Sequence, residues 1–255
     1  MSLWRPAATA LAILLLAGPA LAEECPKGKV RGGKGEWVLA LSWQPAWCET
    51  QSGDRRARPE CLLDYRGTEG LTLHGLWPQW GEYCQSDLCG RDRCALPPVP
   101  GVASEDLVSV MPGALSRLDR HEWAKHGTCS GLAPRAYFRT ATELVRAARA
   151  SRLGRLLGER MGARVKRGEL CDAFGRDFGE DRRGALSFDL EKRGRDLYLA
   201  EVRVRMVGDV PGWDKASIPV GRQGDCMRPD DREFLVDRSG FQTGQTPNEV
   251  RPICR

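Results

Sequence analysis

Histidine is scarce in this chain: three occur in 255 residues, at positions 74, 121 and 126. Their confinement to two short segments suggests a site. Long apolar runs are equally scarce, and no stretch reaches the roughly 20 consecutive apolar residues that a membrane-spanning helix needs. Paired Cys-x-x-Cys knuckles are missing, which argues against a zinc ribbon. No Gly-x-Ser-x-Gly elbow occurs, which removes the usual frame for a catalytic serine. Neither a Pro/Ser/Gly-rich linker between separately patterned halves nor a repeat of fixed period is found, so one globular domain is expected. With 41% hydrophobic and 29% charged residues, the composition excludes a disordered, collagen-like or polytopic membrane protein.

What the chain does have is cysteine, ten in all. Residues Met1 to Ala22 read as an export leader: an n-region carrying Arg5, an apolar run from Ala7 to Ala17, and Ala20-Leu21-Ala22 before the expected cleavage at Glu23. The apolar run is about half the length of a spanning helix, so a transmembrane anchor is disfavoured and no stable membrane association is expected after cleavage. All ten cysteines follow that point, in a compartment where disulfides form and persist. Loss of Arg5 takes the formal charge from +5 to one unit less. The mature chain, residues 23–255, stays mildly basic, which favours a polyanionic partner but is weak evidence alone.

The pattern of apolar residues predicts an α+β domain. Trp37, Leu39, Leu41 and Trp43 alternate with Val38, Ala40 and Ser42, the period of a strand with one apolar face, ended by Pro45. Gly53 to Pro59 reads as a charged loop. Leu71 to His74 is again strand-like and is expected to stop at Gly75 and Pro78, with His74 at its end. Cys84, Cys89 and Cys94, with Pro97, Pro98 and Pro100, predict an irregular cross-linked loop. A helix is expected from Ala114 to His126 with Gly127 as its C-cap, another from Ala136 to Arg160, and a third carrying Leu170, Phe174 and Phe178. Val202, Val204 and Met206 alternate with Glu201, Arg203 and Arg205, predicting a strand with one face in water, and Phe234 to Val236 would pair nearby. Strands among irregularly spaced helices fit α+β better than a regular βαβ repeat.

On a helix, Glu122, Lys125 and His126 share one face, with His121 at its edge and Trp123 to the side. The plain reading of such a face is a solvated surface with an i, i+3 salt bridge. A zinc-protease reading fails because its second histidine must follow the first by four residues, and His126 follows His121 by five. Cys129 as a nucleophile is less attractive than Cys129 in a bridge. One chemistry needs neither a protein nucleophile nor a metal. RNA carries its own nucleophile, the 2′-hydroxyl. Such a site needs a base, an acid and positive donors for the charge that builds on phosphorus, and imidazole titrates in the range that lets one ring be neutral and another protonated.

Two segments carry a resemblance. His74-Gly75-Leu76-Trp77-Pro78 and His121-Glu122-Trp123-Ala124-Lys125-His126-Gly127-Thr128-Cys129 are similar to the two active-site segments of the ribonuclease T2 family of secreted endoribonucleases. Leu39 to Pro45 with Cys48 adds support, as does Met111-Pro112-Gly113, which is similar to the bacterial branch. The resemblance runs from about Glu36 to about Tyr137 and more faintly to Gly240. It implies that His126 is the general base and His74 the general acid, that Glu122 and Lys125 steady the phosphoryl charge, and that His121 and Trp77 bind the phosphate. It implies a single α+β domain with a central antiparallel sheet packed against several helices and cross-linked by disulfides, RNA as substrate, 2′,3′-cyclic phosphate and then 3′-phosphate products, and no metal or other cofactor. Gln79, Trp80 and Tyr83 fall where the family places a base pocket, although Trp80 and Tyr83 are equally readable as packing aromatics.

The resemblance also implies a bridge between Cys48 and Cys61 and another from Cys129 to Cys84, Cys89 or Cys94. Cys226 resembles a late family cysteine whose expected partner near Leu186 to Leu190 is absent, leaving Cys25, Cys171 and Cys254 as candidates. The chain is expected to be a monomer, periplasmic or secreted; its composition gives no protein partner. The rival reading is a catalytically inactive RNA-binding or signalling protein on the same scaffold.

Overall fold

A computed structural model of the chain describes residues 33–50, 58–65, 67–221, 223–229 and 231–238. The leader expected over Met1 to Ala22, Cys25, Cys254 and most of the charged loop before Pro59 lie outside these residues.

The sheet is built on β1 (Glu36–Trp43), whose Trp37, Leu39, Leu41 and Trp43 are all buried, as the alternation predicts. Pro45 does end this strand, but the chain passes straight into α1 (Gln44–Thr50). Proline is compatible with a first helical turn, where its missing N–H is not needed. Antiparallel to β1 on one side lies β2 (Leu71–Pro78) and on the other β5 (Asp196–Val207). The far edge of β5 carries β4 (Leu186–Arg193) as an antiparallel partner. The sheet ends at β3 (Arg164–Lys166), antiparallel to β6 (Glu233–Leu235). One pairing departs from the expected antiparallel sheet: β5 meets β6 in parallel through Tyr198 and Leu235, so the sheet is mixed.

Among the described residues, four further helices pack beside the single turn α2 (Ser104–Leu107). α3 (Leu118–Lys125) carries the second histidine segment. α4 (Pro134–Ala150) packs on β1 and β2 through Tyr137, Phe138, Ala141, Leu144, Val145 and Ala148, a stripe at helical spacing. α5 (Arg152–Glu159) and α6 (Arg167–Phe178) follow; α6 buries Leu170, Phe174 and Phe178 as expected. The helix expected from Ala136 to Arg160 is two helices. Ser151 leaves helical geometry at ψ 169° and caps α5 by accepting the Gly154 N–H at 3.1 Å. No helix among the described residues is long and apolar enough to cross a membrane.

Every cysteine among the described residues is disulfide-bonded. Cys48 pairs with Cys61, Cys84 with Cys129 and Cys171 with Cys226; Cys89 and Cys94 are also bridged. Cys226, whose partner the sequence left open, thus ties the 3-10 turn Asp225–Met227 to α6.

Candidate active site

His74 owes its position to an irregularity in β2. Leu73 stands opposite Leu41 and Gly75 opposite Ala40, so His74 is an extra residue that the partner strand does not match. A regular strand sends residues three apart to opposite faces. The bulge restores parity: Leu73 and Leu76 both turn into the core, while His74 and Trp77 come to one side, where bulges commonly re-aim functional side chains. β2 therefore does not stop at Gly75, and His74 lies in mid-strand rather than at a strand end.

Gly75 is where α3 meets β2. A Cβ at this position would stand 2.1 Å from Glu122 Oε2 and 2.2 Å from Trp77 Nε1. The absence of a side chain lets the Trp77 indole donate to Glu122 Oε2 at 2.7 Å across the strand. Glu122 itself is 1% exposed.

The second segment also differs from its expected helix. A 3-10 helix runs Pro112–Ser116, Arg117 sits in the left-handed region at φ 63°, and α3 begins only at Leu118. Its last residue is Lys125. The C-cap is His126, at φ −118° and ψ −49°, rather than Gly127, which opens a 3-10 turn over Gly127–Cys129. The face expected on the helix survives this unwinding. His74, Trp77, Gln79, His121, Glu122, Lys125 and His126 line one cleft of about 410 Å³, together with Arg203 from β5.

Trp77 lies between the two imidazoles of interest. Its ring stacks on His126 with centroids 5.3 Å apart and 30° between planes, and meets His74 edge to face at 5.2 Å. The Arg203 guanidinium covers it at 5.6 Å, a cation–π contact. His74 Nε2 is 3.8 Å from Glu122 Oε1. His74 Nδ1 lies 2.5 Å from Glu201 Oε2. Glu201 therefore does not join a water-facing side of β5: it is 6% exposed and holds the His74 imidazole, and Arg203 beside it lines the cleft.

The electrostatics follow from these contacts. Burial alone would depress the His74 pKa, but the Glu201 hydrogen bond and the charges of Glu122 and Glu201 outweigh it and raise it above the ordinary imidazole value. Burial works the opposite way on Glu201; the His74 hydrogen bond and charge, with Arg203, overcome it and hold the carboxyl below its usual range. Glu122 is pushed up by burial, against the downward pull of His74, Trp77 and Lys125. His121 is pushed down to about 4 by burial and by the nearby Lys125, Arg93 and His74 charges. It is therefore neutral near pH 7 and would meet an anion as a hydrogen-bond donor rather than as a cation.

The three residues at the expected base pocket separate. Gln79 lines the cleft and donates to the Trp77 carbonyl at 3.0 Å. Trp80 donates its indole N–H to the Cys129 carbonyl at 2.8 Å and meets Trp37 edge to face with ring centroids 4.8 Å apart. Tyr83 packs against Leu88, Leu96 and Ala124, and its backbone N–H donates to the Lys125 carbonyl at 2.8 Å. The Cys84–Cys129 bridge closes the same junction between the loop after β2 and the turn after α3.

The residue that sequence reasoning missed is Glu201, 127 positions from His74. The only signal it offered was an acid within an alternating strand, and that pattern reads as solvent exposure.

Residues 35–159 match the model of the Ribonuclease T2 family. Ribonuclease I of Escherichia coli is 30% identical over 271 aligned positions, which cover 93% of this chain and 98% of that protein. A ribonuclease of Aeromonas hydrophila is 35% identical over 119 positions, 46% of this chain. Among solved structures, the self-incompatibility-associated SF11-RNase of Nicotiana alata superposes with a TM-score of 0.52 at 16% identity, covering 81% of this chain and 100% of its own. With a relative that similar along nearly its whole length, and with two histidine segments folded into one cleft, this chain belongs to the ribonuclease T2 family.

Proposed function

We propose that the protein is an endoribonuclease that cleaves single-stranded RNA by transphosphorylation, with no metal in the reaction. In this reading His126 removes the proton from the ribose 2′-hydroxyl, and the 2′-oxygen attacks phosphorus. The bond to the 5′-oxygen breaks as His74 delivers its proton there. The products are a 2′,3′-cyclic phosphate and a free 5′-hydroxyl. Water then opens the cyclic phosphate to a 3′-phosphate with the two histidines exchanging roles, since the second step runs the first in reverse with water as the alcohol.

The observation that carries this reading is that one cleft gathers His74, His126, Lys125 and Glu122 around a single volume. A raised His74 pKa suits a residue that must be protonated at neutral pH. Lys125 supplies positive charge where the phosphorane-like transition state gains negative charge. Glu122, pushed up by burial, can donate to a phosphoryl oxygen when it is protonated. Trp77 and the neutral His121 position the phosphate, and Gln79 is the residue of the expected base pocket that can reach a base in the cleft.

Export to the periplasm or the medium belongs to the same reading. It is supported by the leader-like Met1 to Ala22 and by the bridged state of every described cysteine. A monomer suffices, because the cleft is built from one chain.

The test is cleavage of single-stranded RNA by the oxidised protein in excess EDTA, beside His126→Ala, with the product ends identified. Cyclic 2′,3′-phosphate ends from the parent, and at least a thousandfold slower cleavage by the variant, are expected. Binding without cleavage from pH 4 to 8 would favour an RNA-binding protein instead, and cleavage only with added metal would refute the mechanism.

A further inference from the structure

We propose that Glu201 is the positioning residue of the acid, accepting the Nδ1 proton of His74 so that Nε2 is the nitrogen presented to the leaving oxygen. This role rests on the proposed ribonuclease reaction and extends it to a residue on the opposite half of the chain.

The geometry begins with the two carboxylate oxygens. Oε2 of Glu201 takes the His74 Nδ1 at 2.5 Å, and Oε1 accepts from Arg203 Nε at 2.5 Å. Arg203 in turn donates through Nη2 to Asp189 Oδ2 at 3.0 Å. The strand register puts Asp189 directly opposite Glu201 across β4 and β5. Two acids in that relation repel each other, and Arg203 bridges both. The Glu201 carboxylate is thus held at both ends, by the imidazole on one side and by a guanidinium anchored on the next strand. With Nδ1 committed to Glu201, Nε2 points toward Glu122 Oε1, 3.8 Å away on the cleft side.

A buried carboxylate in this position does two things to an imidazole. It selects one tautomer and one ring orientation, and it stabilises the protonated ring. The second effect agrees with the raised pKa of His74. Other groups also face this ring: the charges of Arg203 from β5 and Glu122 from α3, the neutral His121 from α3, and Lys125 at the same cleft. Of the two acids, Glu201 alone makes a hydrogen bond to the imidazole; Glu122 acts through its charge.

The structure therefore assigns the alkaline limit of activity to the Glu201–His74 pair. As pH rises through the His74 pKa, the acid loses the proton that it must deliver. Removing the Glu201 charge lowers that pKa and brings the limit to lower pH.

Glu201→Gln is expected to reduce kcat at least tenfold with KM changed less than threefold, and to move the alkaline limb of the kcat/KM profile down by about one pH unit. Glu201→Asp, which keeps the charge, should return the limb most of the way. NMR titration of the His74 ring in protein without RNA should show the same downward shift for Glu201→Gln. An unchanged limb and an unchanged His74 titration in a folded Glu201→Gln protein would overturn the proposal.

Should that variant fail to fold, the parent protein decides. Above its pKa, the ¹⁵N shifts of the neutral His74 ring should place the proton on Nδ1, and a proton on Nε2 would refute the assignment. Both NMR readouts are independent of catalysis. A parent that cleaves no RNA would end the ribonuclease reading while leaving the Glu201–His74 coupling to be judged on its own.

Discussion

Gly75 leaves no space for a side chain, because the atoms nearest its missing Cβ are Glu122 Oε2 at 2.1 Å and Trp77 Nε1 at 2.2 Å. These two atoms are hydrogen-bonded to each other, so a methyl group inserted there must break the pair or push β2 away from α3. Gly75→Ala is expected to lower stability by about 1 to 3 kcal/mol, the range for overpacking a close contact. RNA cleavage should fall more than a hundredfold, since Glu122 and Trp77 are displaced together. Thermal unfolding alongside steady-state kinetics would check this, and parent-like kinetics would refute it. At this scale, the residues legible from the sequence were those whose chemistry is local: His74 and Trp77 in one short segment, and Glu122, Lys125 and His126 in another. Glu201 was illegible because its partner lies on another strand and because the alternation of Glu201, Arg203 and Arg205 with buried neighbours is the signature of a solvent face. What faces Glu201 and Arg203 is α3 and the 3-10 helix before it, whose Leu118, His121 and Gly113 line a hollow with them, and strand periodicity does not report that.

Secondary structure was legible where burial is regular and obscure where a single residue changes the geometry. β1 shows its alternation plainly, and α4 its helical stripe. The bulge at His74 could not be read, because an extra residue leaves composition and local hydrophobicity unchanged while reversing the side of everything after it. Ser151 is a comparable case. No glycine or proline marks the break between α4 and α5, yet its hydroxyl does two tasks, donating to the Ala148 carbonyl at 2.6 Å and accepting the Gly154 N–H at 3.1 Å. Ser151→Ala removes an N-cap in a buried junction and is expected to cost about 1 to 2 kcal/mol. Its effect on kcat should be negligible, because Ser151 does not line the cleft between His74 and His126. Chemical denaturation with a parallel activity assay measures both, and a stability change under about 0.3 kcal/mol would show that Ser151 is not an effective cap.

Across the whole molecule, the disulfides separate stability from catalysis. Cys84–Cys129 closes a separation of 45 residues and Cys171–Cys226 one of 55. In the chain-entropy account each restrains the unfolded chain by about 4 kcal/mol, because the dependence on loop length is logarithmic. Similar stabilisation on folding is therefore expected from two bridges in very different places. Cys171–Cys226 ties α6 to the 3-10 turn Asp225–Met227, outside the residues lining the cleft between His74 and His126. Cys84–Cys129 ties the loop after β2 to the turn that immediately follows His126, alongside the Tyr83 N–H to Lys125 carbonyl bond. It thereby couples the segment carrying His74 and Trp77 to the segment carrying Lys125 and His126. Replacing both cysteines of a pair with alanine avoids stray thiols and isolates the bridge. The two double variants should lower Tm by comparable amounts, while kcat falls several-fold or more only in Cys84→Ala/Cys129→Ala, measured well below both transitions. Equal kcat in the two variants would mean that packing around Trp77 and Glu122 holds His74 and His126 together without the bridge.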